Sequence, residues 1–256
     1  MRVAIGIEYD GTAYNGWQRQ KSGNGVQACV EAAIARVANE DVDVIAAGRT
    51  DAGVHASGQV AHFDAHARRS DRGWLLGANS NLPDDIAVTW VRAVPDEFHA
   101  RFSALSRSYR YVILNRLVRS ALHRHRAWWV HQHLDADAMQ RAAQSLLGEH
   151  DFSAYRAAGC QANTAVREIT RIDVSRDADW ITLDVTANAF LQHMVRNIAG
   201  TLVAIGAGEQ AEAWARDVLD SRDRTAGGVA APPHGLTLVE VTYPDAFEIP
   251  VGSARA

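Results

Sequence analysis

The stretch GRTDAGVHASGQ, residues 48 to 59, places Asp51 two residues after Arg49 and four before His55, in a loop with three glycines. An arginine that close favours the ionised carboxylate, which suits Asp51 to act as a nucleophile or charge stabiliser rather than as a general acid. Asp-x-Gly makes turns unaided. This loop, however, is longer than a tight turn needs, and it lies between two strand-like runs that would hold it rigidly. A glycosidase pair would require a second acid. Asp10, Asp64 and Asp151 are candidates at element ends, and each reads equally well as a turn former or a solvated charge. The glycine spacing matches neither the dinucleotide fingerprint nor the P-loop, so no nucleotide cofactor is expected. Any chemistry in this loop is that of one anion.

Three other stretches bear on that anion. In RSYRYVI, Tyr109, Tyr111 and Ile113 share one face of a strand, an ordinary core pattern. The stretch also heads an arginine-rich segment, which makes base stacking a competing role for one tyrosine. In NAFLQHMVRNIAG, Leu191, Met194, Val195 and Ile198 form a core-facing helical stripe. Arg196 beside it is either a solvated charge or, if it faces inward, must meet an anion. His123, His125, His131 and His133 stand as two His-x-His pairs with no acidic residue nearby, so they read as basic surface histidines and no metal is expected.

The elements that must position these residues can be read from periodicity. RVAIGIEY is a strand, VQACVEAAIARVA a helix, VDVIAA and GQVAHFDA strands flanking the Asp51 loop, DRGWLLGANSNL a helix and IAVTWVRAV a strand. Residues 101–256 repeat the order: RSYRYVILN, a helix over DADAMQRAAQSLLG ended by Gly148, a hairpin across Asp177 and Ala178, a helix over AFLQHMVRNIAGTLVAIGAG, a short helix AEAWARDVLDS and the strand GLTLVEVTY. The chain is therefore expected to be α+β. Two ferredoxin-like βαββαβ halves, 1–100 and 101–256, would join through their antiparallel sheets with an active-site cleft between them.

With 47% hydrophobic residues in 256, a packed core is affordable, and no apolar run is long enough to span a bilayer. Two isolated cysteines, Cys29 and Cys160, fit a reducing cytoplasm. The net charge of -4 argues against a nucleic-acid partner until its distribution is seen: Arg101 to Leu134 contains no Asp or Glu and seven arginines. Arginine's planar fork suits phosphate contact.

GRTDAGVHA, YRY, NAFLQHMVRN and GLTLVEVTYP, in that order, with IEYDGTAYNGWQRQ near the start and FHARFSA and GEHDFSAY between, resemble the TruA family of tRNA pseudouridine synthases over nearly the whole chain. The resemblance implies an isomerase that breaks the N1–C1′ bond of a uridine in the tRNA anticodon stem-loop, at positions 38, 39 and 40, and rejoins the base through C5. It implies a cytoplasmic homodimer binding tRNA, with no cofactor and no metal. Asp51 would be the catalytic aspartate, either a nucleophile at C1′ or a base opening a glycal route. Tyr109 would pack on the target base and assist proton removal, and Arg196 would pair with the aspartate. Arg49 would hold backbone phosphate, and His55, Arg107 and Arg110 complete the expected substrate-binding set. A non-catalytic RNA-binding protein, or an N-glycosidase releasing uracil, are the alternatives.

Overall fold

The computed structural model describes residues 1–20 and 24–250, which divide into two compact units, one of residues 1–20, 24–106 and 238–250 and the other Arg107–Thr237. The boundary expected at residue 100 lies a few residues further on. The last strand, expected to complete the second half, belongs instead to the first unit from Leu238 onward. The reason is local: that strand lies beside the one following the Asp51 loop, and Gly58 admits it, since a Cβ there would stand 2.1 Å from the carbonyl oxygen of Val239.

In the first unit, β1 (Arg2–Tyr9), α1 (Val26–Ala38), β2 (Ile45–Ala46), β3 (His55–Asp64), α2 (Asp71–Asn79) and β4 (Ile86–Val94) follow the β-α-β-β-α-β order expected. β1 lies antiparallel between β3 and β4, and the short β2 pairs with β3. Alternation on the strands sends Val3, Ile5, Ile7 and Phe63 to one face. Trp74 of α2 meets Phe63 there edge to face at 5.2 Å. The opposite face of β3 is not left to solvent: His62 is buried against Phe98 and His99 and accepts a hydrogen bond from the Ala100 N–H at 3.1 Å. Helix α2 starts where Ser70 accepts from the Gly73 N–H, and α1 ends on Asn39 in the left-handed conformation.

The second unit holds β5 (Ser106–Asn115), β6 (Trp128–Val130), α3 (Ala136–Gln144), β7 (Gly148–Asp151), β8 (Val166–Asp177), β9 (Trp180–Ala187), α4 (Met194–Gly206) and α5 (Trp214–Ser221), with β10 (Leu236–Thr242) following. Its sheet runs β5-β9-β8-β7 antiparallel, with β6 parallel alongside β5. The short β6 and β7 carry too few residues for a period and were not expected. Gly148 does not end α3; the helix stops at Gln144, and Gly148 opens β7 with φ of 94°. The β8–β9 turn falls on Ala178 and Asp179, one residue beyond the expected position, with Ala178 at φ of 50°. Both units are mixed α and β with mostly antiparallel pairing. Five α-helices are present among the described residues, and none is long and apolar enough to cross a membrane.

Candidate active site

The Asp51 loop leaves β2 and enters β3, and its backbone is bonded along its length. Gln59, fully buried, donates its side-chain N–H to the Gly48 carbonyl at 2.7 Å, and the Ala47 N–H reaches the Val60 carbonyl at 2.7 Å. Thr50 turns inward, its hydroxyl 2.8 Å from that of Tyr9, while its carbonyl accepts from the Trp17 N–H at 3.0 Å. Asp51's own carbonyl accepts from Val54, and Gly53, at φ of 76°, donates to the Tyr14 carbonyl at 3.2 Å. Burial pushes the Tyr9 phenol up to about 12, opposed by its bonds to Thr50 and Gln59, so the hydroxyl stays protonated.

The clamp on this loop is the segment after β1. Gly16, at φ of 97°, lies so close that a Cβ would stand 2.5 Å from the Thr50 carbonyl oxygen, and a Cβ on Gly11 would stand 2.0 Å from that of Val54. Gly11 also donates its N–H to Nδ1 of the buried His55 at 3.0 Å. His55 is thus placed as an internal brace. Asp51 remains half-buried and Arg49 exposed, on either side of the buried Thr50. A loop fixed at this many points holds a carboxylate in one place, which is what positioning catalysis requires. Sequence reasoning assigned no role to Tyr9, Gly16, Trp17 or Thr50. The signal was present in DGTAYNGW, whose two glycines are both close-approach positions.

Each of the alternative acids is engaged locally, and Asp10 also lies 3.1 Å from Nδ1 of His55. Asp10 accepts from Thr12, Asp64 receives both arms of the Arg2 guanidinium at 3.0 and 2.8 Å, and Asp151 accepts from the Ser153 N–H and hydroxyl.

In the second unit, β5 sorts the expected residues by face. Arg107, Tyr109, Tyr111 and Ile113 point to the buried side, and Ser108, Arg110 and Val112 to the other. Tyr111 is fully buried with its hydroxyl on the Pro232 carbonyl at 2.7 Å, a core residue. Tyr109 keeps 8% exposure and meets Phe190 edge to face at 5.0 Å. Arg107 donates to the Asn188 carbonyl at 2.9 Å. Arg110 faces away from this group and is held in a two-pronged pair by Asp184, directly opposite on β9.

Helix α4 begins at Met194 rather than at Ala189. His193 takes the left-handed conformation with φ of 63°, and the five residues before Met194 are non-helical, which lets Phe190 reach Tyr109. Leu191, Met194, Val195 and Ile198 are buried as expected, although Leu191 lies outside the helix. Arg196 is half-buried. Its Nε donates to the Ala231 carbonyl at 2.8 Å, and Ala231 returns a bond to the Arg196 carbonyl at 3.0 Å. The guanidinium lies near enough to the Tyr111 phenol to lower its pKa, but burial dominates and pushes that group up.

The sequence model of the family described as tRNA pseudouridine synthase matches residues 5–103 and 142–244, which include Asp51 and Arg196. The chain belongs to the tRNA pseudouridine synthase family. Relatives named tRNA pseudouridine synthase A bear this out: that of Coxiella burnetii (strain Dugway 5J108-111) is 55% identical over 249 residues, 97% of this chain and 95% of its own length. Those of Pseudoalteromonas atlantica and Nitrosococcus oceani are each 53% identical over 250 residues, 98% of this chain, and 95% and 96% of their own lengths. A solved structure titled as a Cbf5-Nop10-Gar1 complex aligns with 78% of this chain and 45% of its own, at 11% identity and a TM-score of 0.35, too low to carry an argument. The gap in the family match contains the basic connection from β5 to β6. There Arg116, Arg119, Arg124 and Arg126 are exposed together with Leu117, Val118 and Leu122. The expected His-x-His pairs are dispersed: His123 packs on Trp180 and His131 on Trp129, and no group of three or more potential metal ligands occurs among the described residues.

Proposed function

We propose that this chain isomerises uridines 38, 39 and 40 of the tRNA anticodon stem-loop, as a cytoplasmic homodimer. The proposed site takes Asp51 from the first of two ferredoxin-like halves, and Tyr109 and Arg196 from the second. The observation that carries the reading is the Asp51 loop, clamped on both sides inside a chain that shares more than half its residues with named tRNA pseudouridine synthases. The strand order β4-β1-β3-β2 of the first unit supports the ferredoxin-like description.

Substrate and product are isomers, so the reaction needs no redox partner. The N1–C1′ bond breaks with its electron pair leaving on the uracil. Asp51 either attacks C1′ or takes the C2′ proton to open a glycal. The base then turns, C5 bonds to C1′, the C5 proton leaves and N1 is protonated. Arg196 keeps Asp51 anionic, and Tyr109, braced by Phe190, stacks on the base. Arg49, exposed beside the aspartate, and Arg107, on the face of Tyr109, hold the strand around a nucleotide that must be swung out at a cost of a few kcal/mol. His55 acts by bracing the loop, and Arg110, paired to Asp184 on the other face, stands apart from this set.

The test is incubation with tRNA carrying tritium at uridine C5. Isomerisation releases the label to water and leaves the strand intact. Free uracil among the products would establish an N-glycosidase instead, and tRNA binding without tritium release a binding protein.

A further inference from the structure

A second arginine cluster lies in the second unit, outside the residues assigned above. The short turn Ser153–Tyr155 ends at Arg156, α5 ends at Arg222 in the left-handed conformation, and the turn Arg224–Ala226 follows. The buried Tyr155 ties the first of these to α5 by donating to the Ala215 carbonyl at 2.9 Å. Together Arg156, Arg222 and Arg224 line a solvent-open hollow of about 370 Å³ whose remaining wall is Ser153, two alanines and Asp223.

The nearby carboxylates offset this charge only in part. Asp151 is spent on the Ser153 N–H and hydroxyl at 2.9 and 2.6 Å, with Arg222 Nε 3.7 Å from its other oxygen. Asp223 is spent in the same way on Thr225, with both contacts at 2.8 Å. Three guanidiniums and two carboxylates leave an excess of one positive charge at this hollow, in a chain whose net charge is -4. Arg224 is fixed in place by the buried Asn197, which accepts from it at 3.1 Å and itself donates to the Tyr155 carbonyl at 2.7 Å. Asn197 is the residue after Arg196, so the hollow is anchored to the same turn of α4 as the proposed catalytic arginine.

An open, positively charged hollow presenting planar forks fits an oxyanion on a strand passing through it better than an enclosed small molecule. We propose that Arg156, Arg222 and Arg224 form a binding site for a backbone phosphodiester of the substrate tRNA, separate from the contacts of Arg49 and of the β5–β6 connection. This rests on the function proposed above only in taking tRNA as the ligand.

The experiment uses the full chain with Arg156→Gln and Arg222→Gln, singly and together, leaving Arg224 to its Asn197 bond. Transfer RNA affinity is measured across a salt series, with single-turnover tritium release at saturating tRNA. Each lost phosphate contact should reduce the magnitude of the salt slope by about one, and the pair by about two, with the saturated rate within about twofold of the parent. Inorganic phosphate at matched ionic strength should compete with tRNA more weakly in the double variant. A double variant with the parental slope overturns the proposal, and does so equally if phosphate alone still binds the hollow, since the ligand is then not RNA. Failure of the parent to release tritium would defeat the proposed function while leaving the salt slopes to decide this site.

Discussion

Gly16→Ala separates loop placement from loop chemistry, because Gly16 has no side chain to act in the reaction yet presses on the backbone that carries Asp51. A Cβ at this position would stand 2.5 Å from the Thr50 carbonyl oxygen and 3.0 Å from the Asp51 carbonyl carbon. Ordinary van der Waals contact begins at 3.4 Å, so the loop must move by about 0.9 Å. Both obstructing atoms are backbone, so no side chain can swing aside. A misplacement of ~1 Å at a reacting group costs on the order of 10²-fold in rate. The positive φ of 97° adds about 1–2 kcal/mol of strain for a residue with a Cβ. Gly208→Ala is the matched control: its φ of 74° imposes comparable strain, but nothing lies within 4 Å of the added Cβ. The assay is single-turnover tritium release at saturating tRNA, beside thermal unfolding of both variants. Both should melt lower than the parent, and only Gly16→Ala should lose about two orders of magnitude in rate while keeping tRNA affinity. Equal rates for the two variants would refute the view that the segment after β1 positions the aspartate.

Asp51→Asn should abolish tritium release while tRNA affinity survives, because phosphate contacts supply most of the binding; a filter-binding titration beside the activity assay checks both. A double-mutant cycle of Tyr9→Phe and Thr50→Val should give a coupling of about 1 kcal/mol in urea unfolding, the worth of their shared hydrogen bond, and additivity would mean the bond is idle. Arg110→Gln should leave rate and salt slope near those of the parent, whereas Arg107→Gln should lower the rate; the reverse order would misplace the working face of β5. Burial, then the neighbouring charges of His99 and Arg2, pull the His62 pKa down to about 4, against Asp64, which raises it. The unfolded chain, with an ordinary histidine, binds the extra proton first, so stability from this group is complete above about pH 6.5 and is lost as pH falls toward 4. His62→Gln should flatten the pH dependence of the unfolding free energy in that window relative to the parent, and an unchanged profile would show that other groups govern acid unfolding.

Helix α1 and strand β4 are found with the ends expected, because Asn39 and Pro95 punctuate them and their apolar periods are unbroken. The segment before α4 was misread for an equally physical reason. Leu191 fits the helical stripe in sequence, and it is indeed buried, but it reaches the core from non-helical chain. Periodicity registers burial and cannot distinguish those two routes. Asp51 was legible because an arginine, a histidine and three glycines surround it. Its clamp was not, since a close approach between residues 16 and 50 exists only once two distant segments meet. For the same reason Arg107 and Arg110 looked alike in sequence, and only strand alternation with Asp184 opposite assigns them to different faces.

The partnership of β3 with β10 has a consequence for biosynthesis. Gly58 and Val239 are neighbours across two strands, yet the ribosome makes one long before the other. At about 5–20 residues per second the wait is roughly ten to forty seconds, during which much of one edge of β3 has no backbone partner. The strand that carries the chain out of the Asp51 loop is therefore exposed to wrong pairing while the protein is being made. Chains released before Leu238 should aggregate through that edge, and the first unit should acquire protease resistance only after the second has been synthesised.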